Sequence, residues 1–210
     1  MSDIGGRTVD GFLTDLASDA PTPGGGAVAG LVGAAGAGLI EMVCSLTIGK
    51  AGYEEVDERM REIAREAGGA REELLQLADR DASAFDGVMA AFKMPKETDA
   101  QKAERSRSIQ RGYEAAAEVP LECARRASAL MELAAEVTRD GNAQAASDGS
   151  SAAQCLSSAV WCATYNVEIN AAALKDRAKA QALLDEVSAL RANAQALLDA
   201  SNAAFAERIA

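Results

Sequence analysis

Residues 24 to 40 have the sequence Gly24-Gly-Gly-Ala-Val-Ala-Gly-Leu-Val-Gly-Ala-Ala-Gly-Ala-Gly-Leu-Ile40, and this stretch decides the fold. A glycine inside a helix costs about 1 kcal/mol relative to alanine. Glycines at 26, 30, 33, 36 and 38 therefore indicate that neighbouring backbones must approach this segment closely. We predict a central, buried helix from Ala27 to about Ile48. The run from Ala27 to Ile40 is too short for a membrane span before Glu41 interrupts it, so no membrane partner is expected.

The residues before this stretch predict a short helix followed by a sharp loop. Apolar residues recur at helical spacing from Val9 to Leu16. The segment Asp19-Ala-Pro-Thr-Pro-Gly-Gly-Gly26 then breaks any helix. Pro23, Gly24, Gly25 and Gly26 have two interpretations. They form either a plain loop and helix start, or a loop whose backbone N–H groups meet an anionic or carbonyl group.

The residues after it predict further long helices. Glu54 to about Ala91 lacks proline and carries an apolar line at helical spacing. We predict one long helix here, with Gly68 and Gly69 as the place for a bend. Pro95 ends that helix. A second long helix is expected from about Asp99 to Val137, and Pro120 predicts a break or kink that divides it.

The C-terminal third continues the helical pattern. Asp140-Gly-Asn142 predicts a turn before the next helix. Apolar residues at 183, 187, 190, 194 and 197 follow the a and d spacing of a helix that lies along a partner helix. No segment alternates with the period of a strand. We predict an all-α fold, an antiparallel bundle of long helices, with residues 1–210 as a single domain.

Composition excludes several classes of function. The 210 residues carry a formal charge of −11, which is the wrong sign for a nucleic-acid partner. The chain has no histidine, which removes Ser-His and Cys-His catalysis and most zinc sites. Four scattered cysteines without a CxxC pair predict a reduced, cytoplasmic protein and no metal site. The acidic surface is also compatible with a salt-adapted source.

Carboxylates and lysines are the remaining candidates for chemistry. Asp81 lies among apolar residues that would bury one side of its carboxylate and raise its pKa, which makes it a usable proton shuttle. A solvated helix face is the alternative for Asp81 and for its neighbour Asp79. Lys96 follows the end of a predicted helix, where a cation also suits the helix dipole.

Polar residues form an unusual series in the alanine-rich C-terminal half. It consists of Asn142, Ser147, Asp148, Asn166 and Asn170. On one straight helix Asp148 and Asn166 would lie about 27 Å apart. They therefore serve different parts of a long ligand, or they satisfy helix ends.

These segments together resemble the cyclodeaminase/cyclohydrolase family, which includes stand-alone methenyltetrahydrofolate cyclohydrolases and the C-terminal part of formiminotransferase-cyclodeaminase. The match follows the order and spacing of short motifs over nearly the whole chain. They are Pro23–Gly26, Met42-Val43, Thr47–Gly49, Asp81–Phe85, Met94–Lys96, Val119–Leu121, Gly141-Asn142, Ser147-Asp148 and Asn166–Asn170.

The resemblance implies a homodimeric, all-α enzyme that acts on the N5/N10 one-carbon bridge of tetrahydrofolate and needs no cofactor beyond its folate substrate. The acidic catalytic position of the family falls on Asp81, with Asp79 as the alternative, and we group Lys96 with it. Pro23–Gly26, Lys50, Asn142, Asp148 and Asn166 then become substrate-binding candidates. Lys96 or Lys50 would attract the folate carboxylates.

Three functions remain open from the sequence. We favour hydrolysis of 5,10-methenyltetrahydrofolate to 10-formyltetrahydrofolate, because the chain stands alone without a formiminotransferase domain. Cyclodeamination of 5-formiminotetrahydrofolate, with release of ammonia, is the second candidate. A non-catalytic helical interaction protein is the rival from another class, and it predicts no cleft that joins the glycine-rich loop, Asp81 and Asn142.

Trp161 and Tyr165 are aromatic residues that would stack on a pterin ring or pack inside the bundle. We favour packing. Cys155 and Cys162 lie two turns apart among small residues, which suits buried packing better than metal binding.

Overall fold

The computed structural model describes residues 4–210, which contain helices and no β-strand. Short 3-10 turns precede α1, α3 and α5. The all-α class predicted from the sequence is confirmed. The six α-helices are α1 Val9–Leu16, α2 Gly25–Ser45, α3 Asp57–Phe92, α4 Asp99–Asp140, α5 Ala146–Ala172 and α6 Arg177–Ile209.

Helix α2 is the central element, and it packs against α3 on one side and α5 on the other. A Cβ at Gly30 would lie 2.5 Å from the carbonyl oxygen of Leu74 in α3. A Cβ at Gly36 would lie 2.8 Å from Cγ of Leu156 in α5. The predicted close approach is therefore real. The helix ends three residues earlier than predicted, and the chain then turns through Gly49, whose φ is +71°.

Helix α3 is unbroken along its length. It continues through Gly68 and Gly69 and ends at Phe92, before Pro95 as the sequence predicts. Its buried line runs from Met60 to Ala91 and joins the main hydrophobic core with residues of α2, α4, α5 and α6.

Pro120 does not divide α4, and here the prediction was wrong. The helix runs without interruption from Asp99 to Asp140 with Pro120 inside it. Proline lacks the N–H that would bond the carbonyl four residues earlier, which is that of Ala116. The side chain of Asn170 donates to this carbonyl instead, at 3.0 Å. A substitute donor from α5 therefore offsets part of the cost of a proline within the helix.

Helix α6 lies along α4 and α5, as its spacing predicts. Its buried residues recur every seven positions, at Ala180, Val187, Ala194 and Ser201. This is the repeat of a helix that presents one seam to its neighbours. Charge pairs flank the seam, with Arg125 of α4 bound to Glu186 at 2.5 Å.

Among the described helices, α2 alone is long and apolar enough to cross a membrane by length and composition. In its apolar window 56% is buried inside the protein. This burial is what a core helix shows, and it agrees with the central position of α2.

The close packing of α2 gives a stability prediction. We expect Gly30→Ala to lower the free energy of unfolding by about 2 kcal/mol, because the added methyl would overlap Leu74. Gly69→Ala is the matched control, since nothing lies within 4 Å of a Cβ there. It should raise the free energy of unfolding by about 1 kcal/mol through helix propensity. Urea denaturation measures both, and a harmless Gly30→Ala would contradict the packing described.

Candidate functional site

The site begins where the glycine-rich loop becomes α2. The first intrahelical hydrogen bond runs from Val28 N to Gly24 O at 3.0 Å. The N–H groups of Gly25, Gly26 and Ala27 therefore have no acceptor within the helix. Gly24 is the N-cap and offers no side chain to bond them. This end of α2 carries the positive pole of the helix dipole, which favours an anion or a carbonyl oxygen.

Asp81 of α3 lies directly against this helix start. A Cβ at Gly26 would fall 2.2 Å from Cγ and from both carboxylate oxygens of Asp81. The glycine is thus the only residue type that admits the carboxylate at this place. Sequence reasoning proposed both features separately, and the structure brings them together.

Within residues 4–210, no other group stabilises the charged form of the Asp81 carboxylate. It accepts no hydrogen bond and forms no ion pair among them. Burial raises the pKa of Asp81 above the ordinary value of an aspartate. A carboxyl group with a raised pKa and unused lone pairs can both take and return a proton.

Cys123 of α4 is close enough to Asp81 for the carboxylate charge to affect its thiol. Cys123 of α4 is buried, and burial together with the charge of Asp81 and the Cys162 thiol raises the pKa of Cys123 to about 12. The Cys123 thiol therefore stays protonated near neutral pH and is not a nucleophile.

Asn166 of α5 forms the side of the site that faces the loop. A Cβ at Gly25 would lie 3.3 Å from its Nδ2. That nitrogen donates to the carbonyl of Cys162 at 2.9 Å. The amide is therefore oriented by its own helix, and its Oδ1 remains available as an acceptor.

Asp79 has a different position from Asp81. Its Oδ1 accepts a hydrogen bond from the backbone N–H of Ile4 at 2.9 Å. It lines a cavity of about 530 Å³ together with Pro23, Ser83 and Asp86. Asp79 thus fastens the N-terminal segment, whereas Asp81 faces the start of α2. Pro23 lies between the cavity and the glycine loop.

Lys50 and Asn142 lie together at the opposite end of α2. Lys50 Nζ donates to Asn142 Oδ1 at 2.8 Å, and Asn142 Nδ2 donates to Leu46 O at 3.0 Å. Asn142 also caps the turn before α5 by accepting from Gln144 N. The 21 residues of α2 separate this pair from Asp81 by about 30 Å. Within residues 4–210 of one protomer, no single cleft therefore joins Asp81 and Asn142, in contrast to the cleft expected from the sequence.

Two further candidates also lie away from Asp81 within the protomer. Asp148 is in the first turn of α5, near Asn142 and about 27 Å from Asn166 along the helix. Lys96 is exposed in the connection after α3, whose end is about 16 Å of helix beyond Asp81. In the described structure its backbone N–H bonds Glu97, and its ammonium group forms no ion pair.

Trp161 and Tyr165 already have a partner. The guanidinium of Arg191 lies 4.5 Å from the Trp161 ring centre and 4.8 Å from that of Tyr165. Arg191 is fixed in turn by Glu168 at 2.7 Å. The pair thus packs on α6. Within residues 4–210 no three Cys, Asp or Glu side chains are placed to hold a metal ion.

The sequence profile of formiminotransferase-cyclodeaminase matches residues 8–189. The chain is 42% identical over 188 residues to a methenyltetrahydrofolate cyclohydrolase of Methylorubrum extorquens, and the match covers 90% of each protein. The chain belongs to the formiminotransferase-cyclodeaminase family.

Other members differ in length. The chain is 36% identical to a formimidoyltransferase-cyclodeaminase of Mus musculus, of which the match covers 30%. It is also similar to the crystal structure of a formiminotetrahydrofolate cyclodeaminase from Thermotoga maritima, with a TM-score of 0.88 and 28% identity. That comparison covers 99% of this chain and 100% of the other. The family resemblance inferred from the motifs is confirmed.

Sequence reasoning missed Cys123 as a neighbour of Asp81 and treated Cys162 only as packing. Neither carried a signal, since a lone cysteine among alanines is typical of a core. Asn170 was noted in the polar series and in the last motif, but its bond to the Ala116 carbonyl was not predicted, although a proline inside a helical pattern indicates a carbonyl that needs a donor from elsewhere.

Gly26 gives a direct test of the site. Gly26→Ala should lower the turnover of methenyltetrahydrofolate by about 10²-fold, because its methyl group displaces the Asp81 carboxylate. Gly87→Ala is the matched control, since nothing lies within 4 Å of a Cβ there. Steady-state kinetics and circular dichroism on both variants make the comparison. A folded, fully active Gly26→Ala protein would show that the contact with Asp81 is dispensable.

Proposed function

We propose that this chain is a methenyltetrahydrofolate cyclohydrolase in which Asp81 is the general acid and base. The observation that carries the proposal is the buried, unpartnered Asp81 carboxylate against the start of α2. The relative in Methylorubrum extorquens, which matches over 90% of both chains, supports the choice of reaction.

Asp81 and the N–H groups at the start of α2 have different roles in the proposed reaction. Asp81 removes a proton from water as its oxygen bonds to the one-carbon bridge of 5,10-methenyltetrahydrofolate. The tetrahedral intermediate then collapses: the bond from carbon to N5 breaks, Asp81 returns its proton to N5, and the hydroxyl proton leaves to solvent. The product is 10-formyltetrahydrofolate. The free N–H groups of Gly25 and Gly26 would stabilise oxygen as it gains charge.

Cyclodeamination is the second candidate function. The observation that favours it is the likeness of the whole fold to the Thermotoga maritima cyclodeaminase. In that reaction N10 attacks the formimino carbon of 5-formiminotetrahydrofolate and ammonia leaves. The tetrahedral centre is the same, so one acid/base group serves both reactions.

We infer that two copies of the chain form a homodimer through one face of α2. Residues 25, 28, 32, 35, 39, 42 and 46 follow each other at spacings of three and four, are small or apolar, and are exposed or half-buried. Met42 and Leu46 at the end of this stripe are each 45% exposed. An uncharged helical stripe of this length is suited to burial against another helix.

This homodimer would also bring together candidate residues that lie far apart within one protomer. In a two-fold interface the same patch meets itself. We place the axis near Ala35 and across the stripes, so that the two α2 helices run antiparallel. The Lys50 end of one protomer then approaches the Gly25 end of its partner. Lys50 and Asp148 would thereby reach a folate bound at Asp81 of the other protomer. Lys96 keeps its proposed role as a cation for the folate.

We propose a reducing, cytoplasmic location, supported by four free cysteines in the described structure. The charge of −11 argues against a nucleic-acid partner. The proposed reaction consumes only water and the folate, so it calls for no further cofactor, metal ion or membrane.

Replacing the carboxylate separates activity from stability. Asp81→Asn should lower methenyltetrahydrofolate hydrolysis, followed by loss of absorbance, by about 10²-fold or more. Because burial raises the pKa of Asp81, its ionisation lowers stability as pH rises from about 4 through the folded-state pKa. The variant should therefore unfold at the same or a higher temperature at pH 7. Near-normal turnover by the variant would refute Asp81 as the acid/base. Absence of hydrolysis by the wild-type protein would refute the proposed reaction.

The dimer prediction concerns Ala35 at the middle of the stripe. Ala35→Glu should give a monomer in size-exclusion chromatography with light scattering, because it places two like charges at the two-fold axis. Ala196→Glu on the exposed face of α6 is the control and should remain dimeric. Mixing Asp81→Asn with Lys50→Ala protein should then restore activity in heterodimers. A monomeric wild-type protein, or no restoration, would contradict the shared site.

A further inference from the structure

Helix α4 contains a carbonyl group that its own helix cannot satisfy. Pro120 is buried inside α4 and has no N–H, so the Ala116 carbonyl loses its ordinary donor. Nδ2 of Asn170 donates to Ala116 O at 3.0 Å and to Asn166 O at 2.8 Å. Both neighbours are acceptors, which fixes the orientation of the amide.

This amide joins the two helices that wall the Asp81 site. On α4 the bonded carbonyl lies about two turns before Cys123, a buried thiol whose pKa is raised by burial and by the charge of Asp81. On α5 the other carbonyl belongs to Asn166, whose side chain bonds Cys162 O and faces Gly25. One side chain thus links the α4 wall, through Asn166, to the glycine loop.

The proline makes this link obligatory. With an ordinary residue at position 120, α4 would satisfy Ala116 alone and would need nothing from α5. With Pro120, moving the helices apart leaves a buried carbonyl without a donor, which is costly. The spacing of the two walls is therefore fixed at this point by Asn170.

We propose that Asn170 is a positioning residue, which replaces the missing N–H of Pro120 and so holds the α4 and α5 walls at the width required for the folate site. The proposal rests on the proposed folate chemistry for its effect on activity. Its structural part, the coupling of Asn170 to Pro120, is independent of that chemistry.

A double-mutant cycle on the full-length protein tests the coupling. Asn170→Ala should lower Tm by about 3–5 °C and kcat/KM for methenyltetrahydrofolate about 10-fold, because Ala116 O is left without a donor. Adding Pro120→Ala restores a backbone N–H at position 120, which can donate to the Ala116 carbonyl. The double variant should recover the Tm of the Pro120→Ala protein, and its kcat/KM to within about threefold.

Gln110→Ala is the matched control. Gln110 also joins α4 to the end of α5, through Ala173 O at 3.3 Å and Lys175 N at 2.6 Å, but lies farther from Asp81. It should lower Tm similarly and leave kcat/KM unchanged. Unaltered Tm in Asn170→Ala, or a double variant as impaired as Asn170→Ala, would overturn the coupling. Rescue of Tm with no change of kcat/KM would overturn the positioning role, and inactivity of wild-type protein would refute only the proposed reaction.

Discussion

The contact between the Asp81 carboxylate and the Cα of Gly26 is the constraint on which the rest of the site depends. Any side chain at position 26 would occupy the place of the carboxylate. The contact sets α3 against the first turn of α2, where helix N–H groups lack acceptors. It also removes water from one side of Asp81, which raises its pKa. Gly26 therefore determines both how α3 packs on α2 and how the Asp81 carboxylate is placed.

Other glycines along α2 also allow neighbouring helices to pack closely against it. Gly30 brings α2 close to α3, and Gly36 brings it close to α5. With two neighbours at short distance, α2 becomes the axis against which Asp81 and Asn166 are placed. Its remaining apolar face is left uncovered within the protomer, and we assign that face to a second copy.

The sequence was sufficient for the all-α class and for the central contact partners, but not for their arrangement or for the continuity of α4. Glycine spacing predicted close packing of α2, and the seven-residue repeat predicted α6. Asp81 and Gly26 were both singled out, yet their contact depends on how α3 crosses α2. Lys50 and Asn142 were grouped with them through collinear motifs, although order along a chain does not fix distance in space. Pro120 was expected to break a helix because its substitute donor, Asn170, lies 50 residues away in the sequence.

The pH titration of Asp81 by carbon NMR of labelled aspartate carboxyl groups tests the central claim most directly, with Asp81→Asn protein to assign the signal. The ordinary pKa of an aspartate is near 4. We expect this signal to titrate above that value and to shift when a folate is added. A signal that titrates at or below that value, and is indifferent to folate, would contradict the account of Asp81 as a buried acid/base in the folate site.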